Sequence, residues 1–247
     1  MEKVMTAREF NLMCQKRGFA HLKKGFYRCI GDGVYQTIYT GDTCFIDTSS
    51  PWYSSTHRRS NYIGIGLYSI YSVLPEFWFD PKYPKGEIDP KNIIGKRDLF
   101  FQGIQEHYEI MKSIGFDFLD EINSQKKLIE AVDQICIARL SEGLKKSRVM
   151  CIPYLICGEK SKAYNIIQSW LEDPDMIKWR TTTWEGDPKA EDKKIVYQEY
   201  LELKEAVFSE EKLLALIRRN YRKNMNLANH YGIPIRNTFS SLVSDLH

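Results

Sequence analysis

No Cys-x-x-Cys pair occurs in this chain, although it holds six cysteines, at positions 14, 29, 44, 136, 151 and 157. A four-ligand structural zinc usually needs at least one tight pair, so a zinc site is not expected. The phosphate-binding loops fail as well. Gly31-Asp32-Gly33 and Gly64-Ile65-Gly66 each begin a G-x-G-x-x-G, but Gln36 and Ser69 stand where the third glycine belongs. There is no G-x-x-x-x-G-K-[ST], H-E-x-x-H, EF-hand loop or G-x-S-x-G. Long apolar runs are also missing, and none approaches the roughly eighteen residues of a membrane span. Glu2, Lys3, Arg8 and Glu9 break up the start, which lacks the apolar core of a secretory leader. Together these absences lead to an expectation of a cytoplasmic protein with reduced thiols, no cofactor, no metal and no membrane partner.

What is present is ordinary globular composition. Hydrophobic residues make up 43% of the 247 and charged ones 27%, which argues against wholesale disorder. The formal net charge of +3 is too small to imply a nucleic-acid partner from the total alone.

Thr6 with Glu9 three residues later is a capping-box signature, followed by Phe10, Met13, Cys14 and Arg17 at helical spacing, with Gly18 placed to end the helix. Short β-prone runs, 19–23, 26–30 and 34–39, are punctuated by Gly25 and Gly31-Asp32-Gly33 and predict consecutive antiparallel hairpins. The polar stretch from Asp47 to Asn61 predicts a long exposed loop before a strand from Tyr62 to Tyr68. The region from Pro75 to Pro90 predicts an irregular connection. Helical spacing then returns. Leu99, Gly103, Ile104, His107, Tyr108, Met111 and Ile114 form one stripe ended by Gly115. A second helix follows Ser124 and ends near Gly143. A third runs from Glu159 to Leu171 with Ala163, Ile166, Ile167 and Trp170 inward. Two more, Ile195 to Phe208 and Glu210 to Tyr231, are expected to meet at a Ser209 cap. Strands first and helices afterwards predict an α+β fold, a small antiparallel sheet followed by a helical layer. The expected organisation is an α+β domain over 1–172, a loop or linker over 173–194, and a helical C-terminal extension over 195–247.

Three places could carry function. Gly64 and Gly66 share one face of their strand and leave room for close approach, by a packed helix or by a ligand or partner chain. His57, Arg58 and Arg59, beside Ser54, Ser55 and Thr56, have the chemistry to grip an anion, or are scattered charges of a solvated loop. From Lys212 through Ser244 there is no acidic residue, while Arg218, Arg219, Arg222 and Lys223 form two like-charged i,i+4 pairs. Glu199, Glu202 and Glu205 of the preceding helix could neutralise that strip. Otherwise it could meet phosphate. Asp173-Pro174-Asp175 is a bare D-x-D and reads as a solvated turn. Glu106-His107 is not a catalytic pair, because adjacent helical residues point about 100° apart. No catalytic residue is assigned.

The segment from Phe10 to Ile38 carries Gly18-Phe19, Lys23-Lys24-Gly25-Phe26-Tyr27-Arg28 and Asp32-Gly33-Val34-Tyr35-Gln36. It resembles the opening of a bacterial domain-of-unknown-function family, number 4304 in that series, and Ile63 to Tyr68 is similar to that family's next strand. The resemblance covers at most the first 170 residues or so. It implies an α+β fold and supplies no activity or catalytic residue. The function expected from all of this is a non-enzymatic binding or interaction protein with a protein partner, immunity-like or regulatory. The alternatives are a nucleic-acid binder using the basic C-terminal helix and an enzyme with a dispersed site.

Overall fold

The computed structural model describes residues 5–23, 25–45, 58–72, 74, 79, 104–135, 148–174, 177 and 190–236. Helix α1, Ala7–Lys16, starts as its sequence dictates. Thr6 Oγ1 accepts from the Glu9 amide at 3.2 Å, while the Glu9 carboxylate accepts from the Thr6 amide at 2.8 Å. Phe10 and Cys14 are its buried face.

Strands β1 (Ala20–Leu22), β2 (Gly25–Ile30), β3 (Val34–Phe45) and β4 (Arg58–Ser69) pair antiparallel in that order. The fold is α+β, as the element order implies. The β2–β3 reversal uses glycines at φ +54° (Gly31) and +68° (Gly33), backbone that a side chain would strain. The amide between them, on Asp32, donates to the Asn123 carbonyl at 2.8 Å, which ties the turn to the helical layer.

The β3–β4 ladder departs from the sequence expectation in two ways. Strand β3 continues past Tyr39 to Phe45, and β4 begins at Arg58, so 58–61 are strand rather than loop. Each of them has a backbone partner, from Asn61 with Asp42 to Arg58 with Phe45. Pairing is a backbone property, so a polar run continues a ladder wherever the neighbouring strand extends far enough.

The helical layer begins with α2 (Ile104–Ile110), which runs through a π-helical turn, Met111–Gly115, into α3 (Phe116–Glu121). Gly115 therefore does not stop the helix. Its backbone is right-handed helical, at φ −65° and ψ −41°. The extra residue in the wider turn rotates the following positions by about 100°. Ile114 leaves the apolar stripe and stands 37% exposed, while Gly115 and Phe116 turn inward. Next come α4 (Gln125–Ile135), a 3-10 turn (Arg148–Met150) running into α5 (Cys151–Ile156), and α6 (Lys160–Leu171). Helix α5 was not anticipated; its Pro153 sits in the first turn, where no amide partner is lost. In α6, Ala163, Ile166 and Ile167 are buried as expected. Trp170 is not; it is 38% exposed and stacks on Tyr200 with ring centroids 5.6 Å apart.

Helices α7 (Ala190–Phe208) and α8 (Glu210–His230) complete the layer, and α7 starts before the expected Ile195. Strand β5, Ile235–Arg236, was also unforeseen and pairs parallel to β2 at Cys29 and Ile30. One core cluster holds Phe10, Phe26, Ile38, Ile65, Met111, Ile152, Leu203 and Ile217 together, so the segment after 195 shares its core with the sheet. Two buried asparagines of α8 reinforce the join. Asn220 Nδ2 donates to the Tyr71 carbonyl at 3.0 Å, and Asn224 Nδ2 donates to Ile70 and Ser72 at 2.7 and 2.8 Å. Among the described residues no helix is long and apolar enough to cross a membrane.

Candidate functional site

The α7–α8 hairpin brings acidic side chains of one helix against basic side chains of the next. Ser209, extended at φ −134° and ψ 115°, reverses the chain, and its Oγ accepts from the Lys212 amide at 3.3 Å. Helix α8 buries Leu216, Ile217, Asn220, Tyr221, Asn224 and Ala228 at three- and four-residue spacing. Its Arg219 and Lys223 then lie toward α7. Arg219 Nη2 meets Glu202 Oε2 at 2.6 Å, and Lys212 Nζ meets Glu205 Oε2 at 2.8 Å. Three acidic residues of α7 were candidate neutralisers, and two of them act as such. The third, Glu199, pairs instead with Arg148 Nε at 3.1 Å.

Between the helices lies a cleft of about 490 Å³, bordered by Lys194, Gln198, Glu199, Glu202, Arg219 and Lys223. Glu199 sits deep in it, its side chain only 14% exposed. Burial pushes its carboxyl above the ordinary range, against the pull of Arg148 and Lys223, and neighbouring Glu202 adds to the rise. Arg219 shifts upward because Glu202 accepts its hydrogen bond. Lys194 and Lys223, both exposed, form no ion pair among the described residues. A carboxyl displaced by burial among several cations in a cleft is a recognised mark of a binding or reacting site.

The four basic residues named from sequence do not make one strip. Arg219 is paired, Lys223 borders the cleft, Arg222 is exposed, and Arg218 is half-buried with partners of its own. His57 lies outside the described residues. Arg58 and Arg59 are placed only by backbone register, opposite Phe45 and Cys44. At Gly66 the space is taken by its own sheet. A Cβ there would meet the Tyr68 ring at 2.6 Å and, closer still, the Thr37 hydroxyl. Gly64 is buried opposite Tyr39. His107 is a core-edge histidine, 1% exposed, whose Nδ1 accepts the Ile63 amide hydrogen at 3.0 Å.

Sequence reasoning missed two features. Glu199 was noted only as a neutraliser; its partner Arg148 lies 51 positions upstream, too far for any spacing rule. Phe208, read only as the end of a helix, is 74% exposed at the hairpin tip. Its ring meets Tyr164 of α6 edge-on at 5.7 Å, beside a hollow of about 590 Å³ edged by Lys160, Ser161, Asn165 and Val207. The adjoining Ser209 cap was the available signal, since a residue just before a hairpin reversal is drawn away from the core.

Among the described residues no cluster of three or more histidine, cysteine, aspartate or glutamate side chains is placed to hold a metal ion. No protein-family model, curated protein or solved structure matches this chain significantly.

Proposed function

We propose that this chain is a non-enzymatic interaction protein that seats a protein partner on the tip of the α7–α8 hairpin. One observation carries the reading: Phe208 presents 74% of its surface to solvent beside an open hollow. A phenyl ring so exposed forgoes about 2 kcal/mol of burial. Aromatic side chains seated in or beside hollows are the usual anchors of protein interfaces. Lys160, Ser161 and Asn165 around the hollow supply the polar rim that such anchors have. An immunity-like or regulatory role in a bacterial cytoplasm is the finer form of the proposal. Cys14, Cys29, Cys151 and Cys157 are free thiols, which suits a reducing compartment. Kinship with family 4304 belongs to the proposal too.

The test places a photo-crosslinking residue at position 208 and, as a control, at Leu12, another exposed apolar side chain. In extract of the native host the 208 probe is expected to capture a discrete partner that the Leu12 probe does not. Excess unlabelled wild-type protein should compete it away and excess Phe208→Glu protein should not. Equal competition by Phe208→Glu would remove the hairpin tip from the interface and overturn the reading.

A further inference from the structure

We infer that the α7–α8 cleft is a binding site for a small phosphate-bearing anion, of the pyrophosphate or phosphomonoester class. Each carboxylate of the cleft already has a cation within ion-pair distance. Glu202 is matched by Arg219 at 2.6 Å and Glu199 by Arg148 at 3.1 Å. Lys194 from α7 and Lys223 from α8 remain on the border of the cleft, both exposed and neither in an ion pair among the described residues. The residues bordering the cleft therefore carry one more positive than negative charge, and Arg148, which pairs with Glu199 from outside the lining, raises the local excess to two.

Arg219 and Lys223 are i,i+4 neighbours on α8, a like-charged pair that disfavours the isolated helix. Glu202 pairs with Arg219, Glu199 attracts Lys223 only from beyond ion-pair distance, and an anion between Lys223 and Lys194 would relieve the repulsion further. Ammonium groups act as point charges toward phosphate, whereas planar carboxylates favour guanidinium groups, and the two guanidinium groups here, Arg219 and Arg148, each already face a carboxylate. The space of about 490 Å³ falls within the range of small-molecule sites. Its floor includes Glu199, which burial biases toward the protonated form, so the carboxylate there repels an incoming anion less than an ordinary one would.

Calorimetric titration of the full chain with inorganic pyrophosphate at low ionic strength tests this. Single-site saturable binding is expected. Lys194→Gln and Lys223→Gln should each weaken it about tenfold, and added salt should weaken it further. Both lysines are exposed, so neither substitution removes a packed side chain. Glu202→Gln is expected to tighten binding, because it keeps an acceptor for Arg219 and removes a negative charge. A purely structural ion-pair network predicts no such gain. No saturable heat with the wild type, or equal affinity in the wild type and both lysine variants, would overturn the inference. Short duplex DNA added as a competitor separates the sources. Displacement of pyrophosphate that Lys223→Gln abolishes assigns the phosphate to a nucleic-acid backbone, and retention of pyrophosphate assigns it to a small molecule. Either result supports the site.

Discussion

The Arg28 guanidinium on β2 donates through Nε to Gln36 Oε1 on β3, 2.8 Å away and directly across the ladder. Both side chains are nearly inaccessible, 3% and 0% exposed, and each passes the connection onward. Arg28 Nη1 donates to the Arg17 carbonyl at 2.6 Å, and Nη2 faces Asp120 at 2.7 Å. Gln36 Nε2 donates to the carbonyls of Leu119 and Ile122 at 2.7 and 3.0 Å. The Phe19 ring lies 4.1 Å below the guanidinium. Burial depresses the Arg28 pKa and Asp120 opposes that shift, so the charge is retained through its partners. This network joins the end of α1, the sheet and the end of α3 in one polar seam through the core.

Gln36→Leu is therefore expected to destabilise the fold by about 3 kcal/mol or more. It removes the buried amide that serves the Leu119 carbonyl in α3, the Ile122 carbonyl just past it and the Arg28 Nε–H, each bond worth about 1–3 kcal/mol. Urea unfolding with an unchanged slope measures it. A loss below about 1 kcal/mol would mean that water replaces the amide.

Asn224→Ala is expected to cost more than Asn220→Ala. Asn224 donates to two carbonyls after β4 and Asn220 to one. The expected difference is about 1 kcal/mol, read from the same denaturation midpoints. Equal costs would show that one of the two Asn224 bonds contributes nothing.

Glu199 predicts a pH dependence of defined sign. Its folded pKa is raised above the ordinary 4.5, chiefly by burial, so the native state binds this proton more tightly than the unfolded chain does. The resulting stability is fully present below about 4.5 and is lost as pH rises through the raised folded value. Relative to Glu199→Gln, which keeps an acceptor for Arg148, the wild type should gain stability as pH falls through that window. Stability curves of the two proteins that run parallel from mildly acidic to neutral pH would contradict this.

The described thiols should be inert in the native state. Burial pushes Cys29 and Cys151 up to about 12 from an ordinary 9.0 and raises Cys14 further, while half-buried Cys157 shifts less far. For Cys29 and Cys151 the thiolate fraction near neutral pH then falls about a thousandfold. Iodoacetamide labelling with peptide mass mapping should show Cys157 modified well before Cys14, Cys29 and Cys151, and all four modified together in urea. Early labelling of Cys29 or Cys151 would mean that the core opens locally.

Elements announced by local chemistry were readable in advance. Thr6 with Glu9 starts α1, Gly31 and Gly33 turn β2 into β3, and Ser209 caps α8, because each signal and its consequence lie within four residues. The α+β class followed from the same local signals taken in order. Tertiary structure decided the rest. Whether 58–61 formed strand or loop depended on how far β3 continued. Whether Ile114 or Phe116 faced the core depended on one π-helical turn. The basic residues of α8 became a divided set because Glu202 and Glu205 reached two of them and Arg148 drew Glu199 away. Phe208 ended exposed at the Ser209 reversal, where Tyr164 of α6 meets its ring edge-on without covering it. Each outcome is a competition between partners distant in the chain, and a linear pattern records the candidates without their separations. Zinc pairs and phosphate loops can be excluded from sequence because they need tight spacing; the cleft of Glu199, Arg219 and Lys223 exists only once two helices pack.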